Sequence, residues 1–134
     1  MPSLSHEKLI VYKRSIEFNS WAYTFIQHRK FSSHLAAQFH RAMISIPLNI
    51  AEGNGKYTSR DKAKYYDIAK GSALECGACL DLAVAQEKYS AMDIFEGKEM
   101  LIEIVSMLTG LAKSTAPDRV REDGVGYGET TDQD

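Results

Sequence analysis

Two groups of residues in this 134-residue chain have the types and spacing from which chemistry is built. Cys76-Gly77-Ala78-Cys79 sets two thiols one helical turn apart, the spacing of a redox pair or of half a zinc site. Neither chemistry is complete. There is no second CxxC, no histidine at finger spacing and no strand-helix-strand context, so both cysteines read as small core residues. The second group is Arg41, Ser45, Asn49 and Glu52, which recur every three or four residues along one helical face. Ser45 and Glu52 lie about 10 Å apart along a helix, too far to exchange a proton directly within one chain, so the row reads as a set of interhelical fasteners. His6, His28, His34 and His40 are dispersed, and no glutamate precedes a histidine at Glu-x-x-His spacing. The expectation is therefore no catalytic residue, no metal and no cofactor. Lys56 follows Gly53-Asn54-Gly55, but Ile50 and Tyr57 stand where a phosphate-binding P-loop needs glycine and a hydroxyl.

The elements that would hold these residues are helices. Ser3 or Ser5 caps a first helix with Leu9, Tyr12, Ile16, Tyr23 and Ile26 on its core face, through about residue 28. Phe18, Trp21 and Phe25 fall off that stripe and suggest a second copy as their partner, the alternative being a broad stripe in a single small core. Ser32 or Ser33 caps a second helix carrying Leu35, Phe39, Met43, Ile46 and Ile50 to an end near Gly53. Pro47 within it frees the carbonyl of Met43, which predicts a local kink and a bond from Ser45 or a water. Thr58 or Ser59 caps a third helix along Tyr65, Ala69, Ser72, Cys76, Cys79 and Ala83. Glycine costs about 1 kcal/mol against alanine inside a helix, so Gly71 and Gly77 predict close packing or a functional contact there. If the second and third helices fold back about Lys56, Arg41 reaches Glu75 or backbone near Ser72, and Glu52 reaches Arg60, Lys64 or a nearby amide. Ser90 and Asp93 open a fourth helix along Ile94, Leu101, Val105, Leu108 and Leu111, which should stop before Pro117. The expected architecture is all-α: an up-down-up-down antiparallel bundle over residues 1–115 and a flexible acidic tail over 116–134.

Apolar residues make up 44% of the chain, enough for one core, and no run approaches the roughly 18 apolar residues a membrane span requires. With no export signal at Met1-Pro2-Ser3 and no cysteine spacing that would staple distant segments, the expected location is the cytoplasm. Charge is unevenly spread. From His28 to Lys70 eight bases (Arg29, Lys30, Arg41, Lys56, Arg60, Lys62, Lys64 and Lys70) face three acids, a balance of plus five. From Gly71 onward five bases face thirteen acids, a balance of minus eight. Such a division either makes a basic surface for a polyanion or lets oppositely charged helices neutralise one another.

Arg41-Ala42, Ser45-Ile46-Pro47, Asn49-Ile50-Ala51-Glu52-Gly53, Ala69, Gly71-Ser72 and Glu75 form a spaced pattern over about residues 8 to 115. It resembles the four-helix bundle family encoded in intervening sequences of bacterial 23S ribosomal RNA genes, with relatives among retroelement accessory proteins. The chain departs from that pattern at His40 and at Asn54-Gly55-Lys56, where the family often carries arginine. The resemblance implies a left-handed bundle in a homopentameric ring, no enzymatic chemistry, and binding of RNA, DNA or a nucleic-acid enzyme. Arg29, Lys30, Lys56, Arg60, Lys62, Lys64 and Lys70 are the residues expected to contact nucleic acid. The alternative is a protein-binding scaffold without nucleic-acid affinity.

Overall fold

The computed structural model describes residues 1–28, 31–87 and 89–123. Among them are four helices and no strand: α1 (Ile10–His28), α2 (Ser33–Asn54), α3 (Ser59–Glu87) and α4 (Ala91–Asp123). Three starts are capped as the side chains dictate. Ser32 Oγ accepts the Leu35 amide at 3.2 Å, Thr58 Oγ1 accepts the Asp61 amide at 3.1 Å, and Ser90 and Asp93 bond each other's amides at 3.2 and 2.9 Å in a capping box. The first start differs. Neither Ser3 nor Ser5 caps α1; a 3-10 turn over Ser5–Lys8 precedes it, closed by Glu7 on the Leu4 amide, and Ser5 lies 3.2 Å from Asn54 at the end of α2.

α1 packs against α2 and α4, and α3 packs against the same two, whereas among the described residues the diagonal pairs bring no Cα atoms within 8 Å of each other. Phe18, Phe39, Met43, Ile46, Ile50, Cys76, Leu80, Ile104 and Leu108 fill the space between them and are fully buried. At one end Phe25 contacts Trp21, Phe31 and Tyr89 with ring centroids 4.9 to 5.6 Å apart, an arrangement that adds to area burial. This corrects the phase read for α1. Its buried stripe is Val11, Ser15, Phe18, Ala22 and Phe25, while Ile16 and Tyr23 are 45% and 54% exposed. The helix is apolar around more than half its girth, so two stripes satisfy the spacing; small Ser15 and Ala22 mark the true core side because they admit close neighbours. Phe18, Trp21 and Phe25 therefore belong to the protomer's own core and give no evidence for a second copy.

The fate of the Met43 carbonyl also differs. Pro47 sits buried inside α2, and the oxygen it leaves without an amide accepts Asn19 Nδ2 of α1 at 2.6 Å, neither Ser45 nor water being needed. Glycines 71 and 77 are not sites of close packing, since a Cβ at either would meet nothing within 4 Å. Gly53 and Gly97 are. A Cβ on Gly53 would come within 3.0 Å of Tyr65 and Tyr66, and one on Gly97 would overlap the Trp21 ring. Finally, α4 continues through Pro117 to Asp123, where the sequence predicts a stop. Proline removes one backbone bond and does not forbid helix beyond it. The remainder of the expected tail, residues 124–134, lies outside the described residues.

Candidate functional site

Four of the seven cations expected to bind nucleic acid, Lys56, Arg60, Lys62 and Lys64, lie where α2 hands over to α3. Gly55 ends α2 in ordinary right-handed backbone (φ −85°), so the turn here needs space at Gly53 more than a left-handed glycine. Lys62 Nζ donates to the Asn54 carbonyl at 3.0 Å, closing the C-terminal end of α2, whose dipole favours a cation. Lys56 pairs with Glu52 at 3.0 Å and lies over the Tyr65 ring at 5.0 Å; the Glu52 carboxylate holds its ammonium above the ordinary lysine range. Lys64 is exposed, its Nζ 5.8 Å from the centroid of the same ring, and Arg60 is exposed in the first turn of α3. Glu52 and Asp61 sit among these four cations, which leaves this turn at plus two.

Lys70 does not belong to this group. It is half-buried and lies eight residues on from Lys62, about 12 Å along α3. Arg29 and Lys30 lie outside the described residues. Sequence reasoning missed Tyr57, whose side chain is 100% exposed beside Lys56. An aromatic residue inside a polar interhelical turn was the available signal. A free ring next to several cations can stack on a nucleobase while the cations meet phosphate.

The polar row is partly as expected. Asn49 Nδ2 donates to the Ser45 carbonyl and hydroxyl oxygens, each at 2.9 Å, and the Ser45 and Ser72 hydroxyl oxygens lie 2.8 Å apart. The Ser72 hydroxyl donates to Ser45 at 2.8 Å and has the Ile68 carbonyl of its own helix as a second acceptor at 3.1 Å, so one hydroxyl proton bridges the two helices. These hydroxyls fasten α2 to α3. Arg41, however, does not reach Glu75 or the backbone near Ser72: both charged residues are exposed, and Arg41 bonds to Gln38 on its own helix. The Ser45–Ser72 contact puts Arg41 level with Cys76, so the height was nearly right while both side chains point outward. Glu52 likewise finds Lys56, four residues on, instead of Arg60 or Lys64. A partner four residues on, in the turn that leaves α2, needs no interhelical reach, which is why it wins at an exposed end.

Cys76 and Cys79 are buried, and desolvation raises both thiols above the ordinary cysteine range. Among the described residues no group of three His, Cys, Asp or Glu is placed to hold a metal ion, and no helix is long and apolar enough to cross a membrane.

Comparison with known proteins agrees with this geometry. A solved structure of a protein of unknown function from the S23 ribosomal protein family of Bacteroides thetaiotaomicron has the same fold, with a TM-score of 0.71 and 23% identity, covering 78% of this chain and 99% of that one. No curated protein matches the sequence. The sequence model of the 23S rRNA-intervening sequence proteins matches residues 7–110, most of the chain, and the protein belongs to that family.

Proposed function

We propose that this protein is a non-enzymatic cytoplasmic bundle, antiparallel, up-down-up-down and left-handed, that assembles as a homopentameric ring and binds RNA or DNA through the basic end of each protomer. The observation that supports it is the gathering of Lys56, Arg60, Lys62 and Lys64 around a fully exposed Tyr57. A surplus of two positive charges per chain is a weak site. Repeated around a ring it becomes a multivalent one, because each further contact is made at high effective concentration. The contacts fall mainly on phosphate, with Tyr57 adding stacking that any base can satisfy. Such binding is indifferent to sequence and falls steeply with salt.

Fluorescence anisotropy with short unrelated oligonucleotides tests this. Arg60→Gln with Lys64→Gln weakens binding to all of them and flattens the salt slope, whereas Glu96→Gln with Glu99→Gln does not weaken it. Lys62 is a poor choice for this test because it also closes α2. A well-folded protein that binds neither RNA nor DNA at about 50 mM salt, where phosphate contacts are strong, favours a second reading. In that reading the bundle is a protein-binding scaffold, and Lys56 and Lys62 serve only the Glu52 carboxylate and the Asn54 carbonyl they already meet.

A further inference from the structure

Two unlike apolar faces lie on opposite sides of the protomer. The first spans α1 and α2. Asn19 reaches α2, so its flank of α1 is the one turned that way, and Tyr12, Ile16 and Tyr23 follow it at helical spacing. Ser45 and Asn49 mark the flank of α2 turned to α3, which leaves Ile44 and Leu48 toward α1 and solvent. Antiparallel to Asn19–Met43, Ile16 stands level with Ile46, between Ile44 and Leu48. Ile44 and Leu48 are 40% and 64% exposed. Together Ile16, Tyr23, Ile44 and Leu48 make an exposed apolar patch, with Tyr12 half-buried at its margin.

The second face is concave. A groove of about 480 Å³ runs between α3 and α4, floored by Ala73, Gly77 and Ala78 and walled by Leu74 and Ile102, which are 57% and 69% exposed. Its lower end meets the Asp81–Lys98 ion pair, and a second hollow of about 350 Å³ continues past that pair to Phe95. Among the described residues nothing lies within 4 Å of where a Gly77 Cβ would stand, although glycine weakens a helix by about 1 kcal/mol relative to alanine. Because α1 touches only α2 and α4, and α3 only the same two, the α1–α2 and α3–α4 faces look in opposite directions.

We infer that the α1–α2 face of one copy, led by Ile16, Ile44 and Leu48, seats in the α3–α4 groove over Gly77 and Ala78 of the next copy. This rests on the self-association proposed above and adds the direction and residues of the contact. The partner is a second copy because one chain carries both the ridge and the groove that receives it. Pairing either face with itself would leave the other uncovered on every protomer. A head-to-tail contact covers both and repeats until it closes on itself. The shared face is about 30 Å long, from the length of α2, and about 20 Å wide, from two helix diameters. Before side-chain relief is added that is about 600 Å², close to the roughly 800 Å² each partner buries in a stable complex.

Complementary blocking variants test the contact. Leu48→Arg spoils the ridge, and Ala78→Arg blocks the groove; both positions are exposed, so the protomer fold survives, and Gly77→Leu is a second groove variant that also favours helix. Light scattering should report each variant alone as a monomer of 15.0 kDa. An equimolar mixture of Leu48→Arg with either groove variant should give twice that mass and no more, since one good ridge meets one good groove. If wild type is oligomeric and the mixtures remain monomeric, or if the single variants assemble like wild type, the head-to-tail assignment is wrong while self-association stands. Wild type that is monomeric at tens of micromolar overturns both.

Discussion

Asn19→Ala isolates a device that joins two helices through a proline. The two hydrogens of Asn19 Nδ2 go to the Ser15 carbonyl at 3.0 Å and the Met43 carbonyl at 2.6 Å. Ser15 keeps its own helical amide when the side chain is removed. Met43 does not, because the residue four positions on is Pro47, so its carbonyl is left without a partner beside the core. An unsatisfied buried carbonyl costs about 1–3 kcal/mol. At about 2.1 cal/mol/K of unfolding entropy per residue for a chain of this size, each kcal/mol lowers the melting temperature by about 4 °C. Asn19→Ala should therefore melt about 4–12 °C below wild type. Pro47→Ala supplies the missing amide, so in that background the same asparagine deletion should cost at least about 1 kcal/mol less. A double-mutant cycle in urea reads this coupling directly. Equal costs in the two backgrounds would refute the idea that Asn19 serves the proline.

Gly97→Ala should push Trp21, the only tryptophan, off α4; the expected readout is a red-shifted emission with a loss of about 1–3 kcal/mol, and unchanged emission would show that the ring has room. The buried thiols make stability sensitive to high pH. Cys76 and Cys79 stay protonated in the fold while the unfolded chain ionises above about 8.5, so the native state binds more protons there and stability falls as pH rises, by up to about 1.4 kcal/mol per pH unit for each thiol. Cys76→Ala should shallow that decline between pH 9 and 10, and an identical pH profile would contradict it. Both cysteines should also react slowly with a thiol reagent in the native protein and purify without zinc. Glu75→Ala, at an exposed position with no ion pair or hydrogen bond among the described residues, should change stability by less than about 0.5 kcal/mol; a loss of several kcal/mol would place Arg41 back beside it.

Periodicity and caps carried the four helices because they depend on neighbours three or four residues away. Ser32, Thr58 and the Ser90–Asp93 box were legible for that reason. The phase of α1 was not, since Tyr12, Ile16 and Tyr23 match a core stripe as well as Phe18 and Phe25 do, and only the presence of α2 and α4 decides between them. The partner of Met43 was equally hidden: Pro47 announces a freed carbonyl, but nothing near it in sequence announces Asn19. At the candidate site the sequence supplied the cations and missed their distribution. Lys56 and Lys62 are held by Glu52 and Asn54, Lys70 stands apart, and Tyr57, signalled only by its place in a polar turn, proves fully exposed.

Light scattering of the purified protein at micromolar chain concentration in about 50 mM salt, alone and with a short single-stranded oligonucleotide, tests the proposed function most directly. The account predicts a mass of about five chains that rises further by the mass of bound nucleic acid and loses that increment when salt is raised. A single-chain mass that the oligonucleotide leaves unchanged would contradict it.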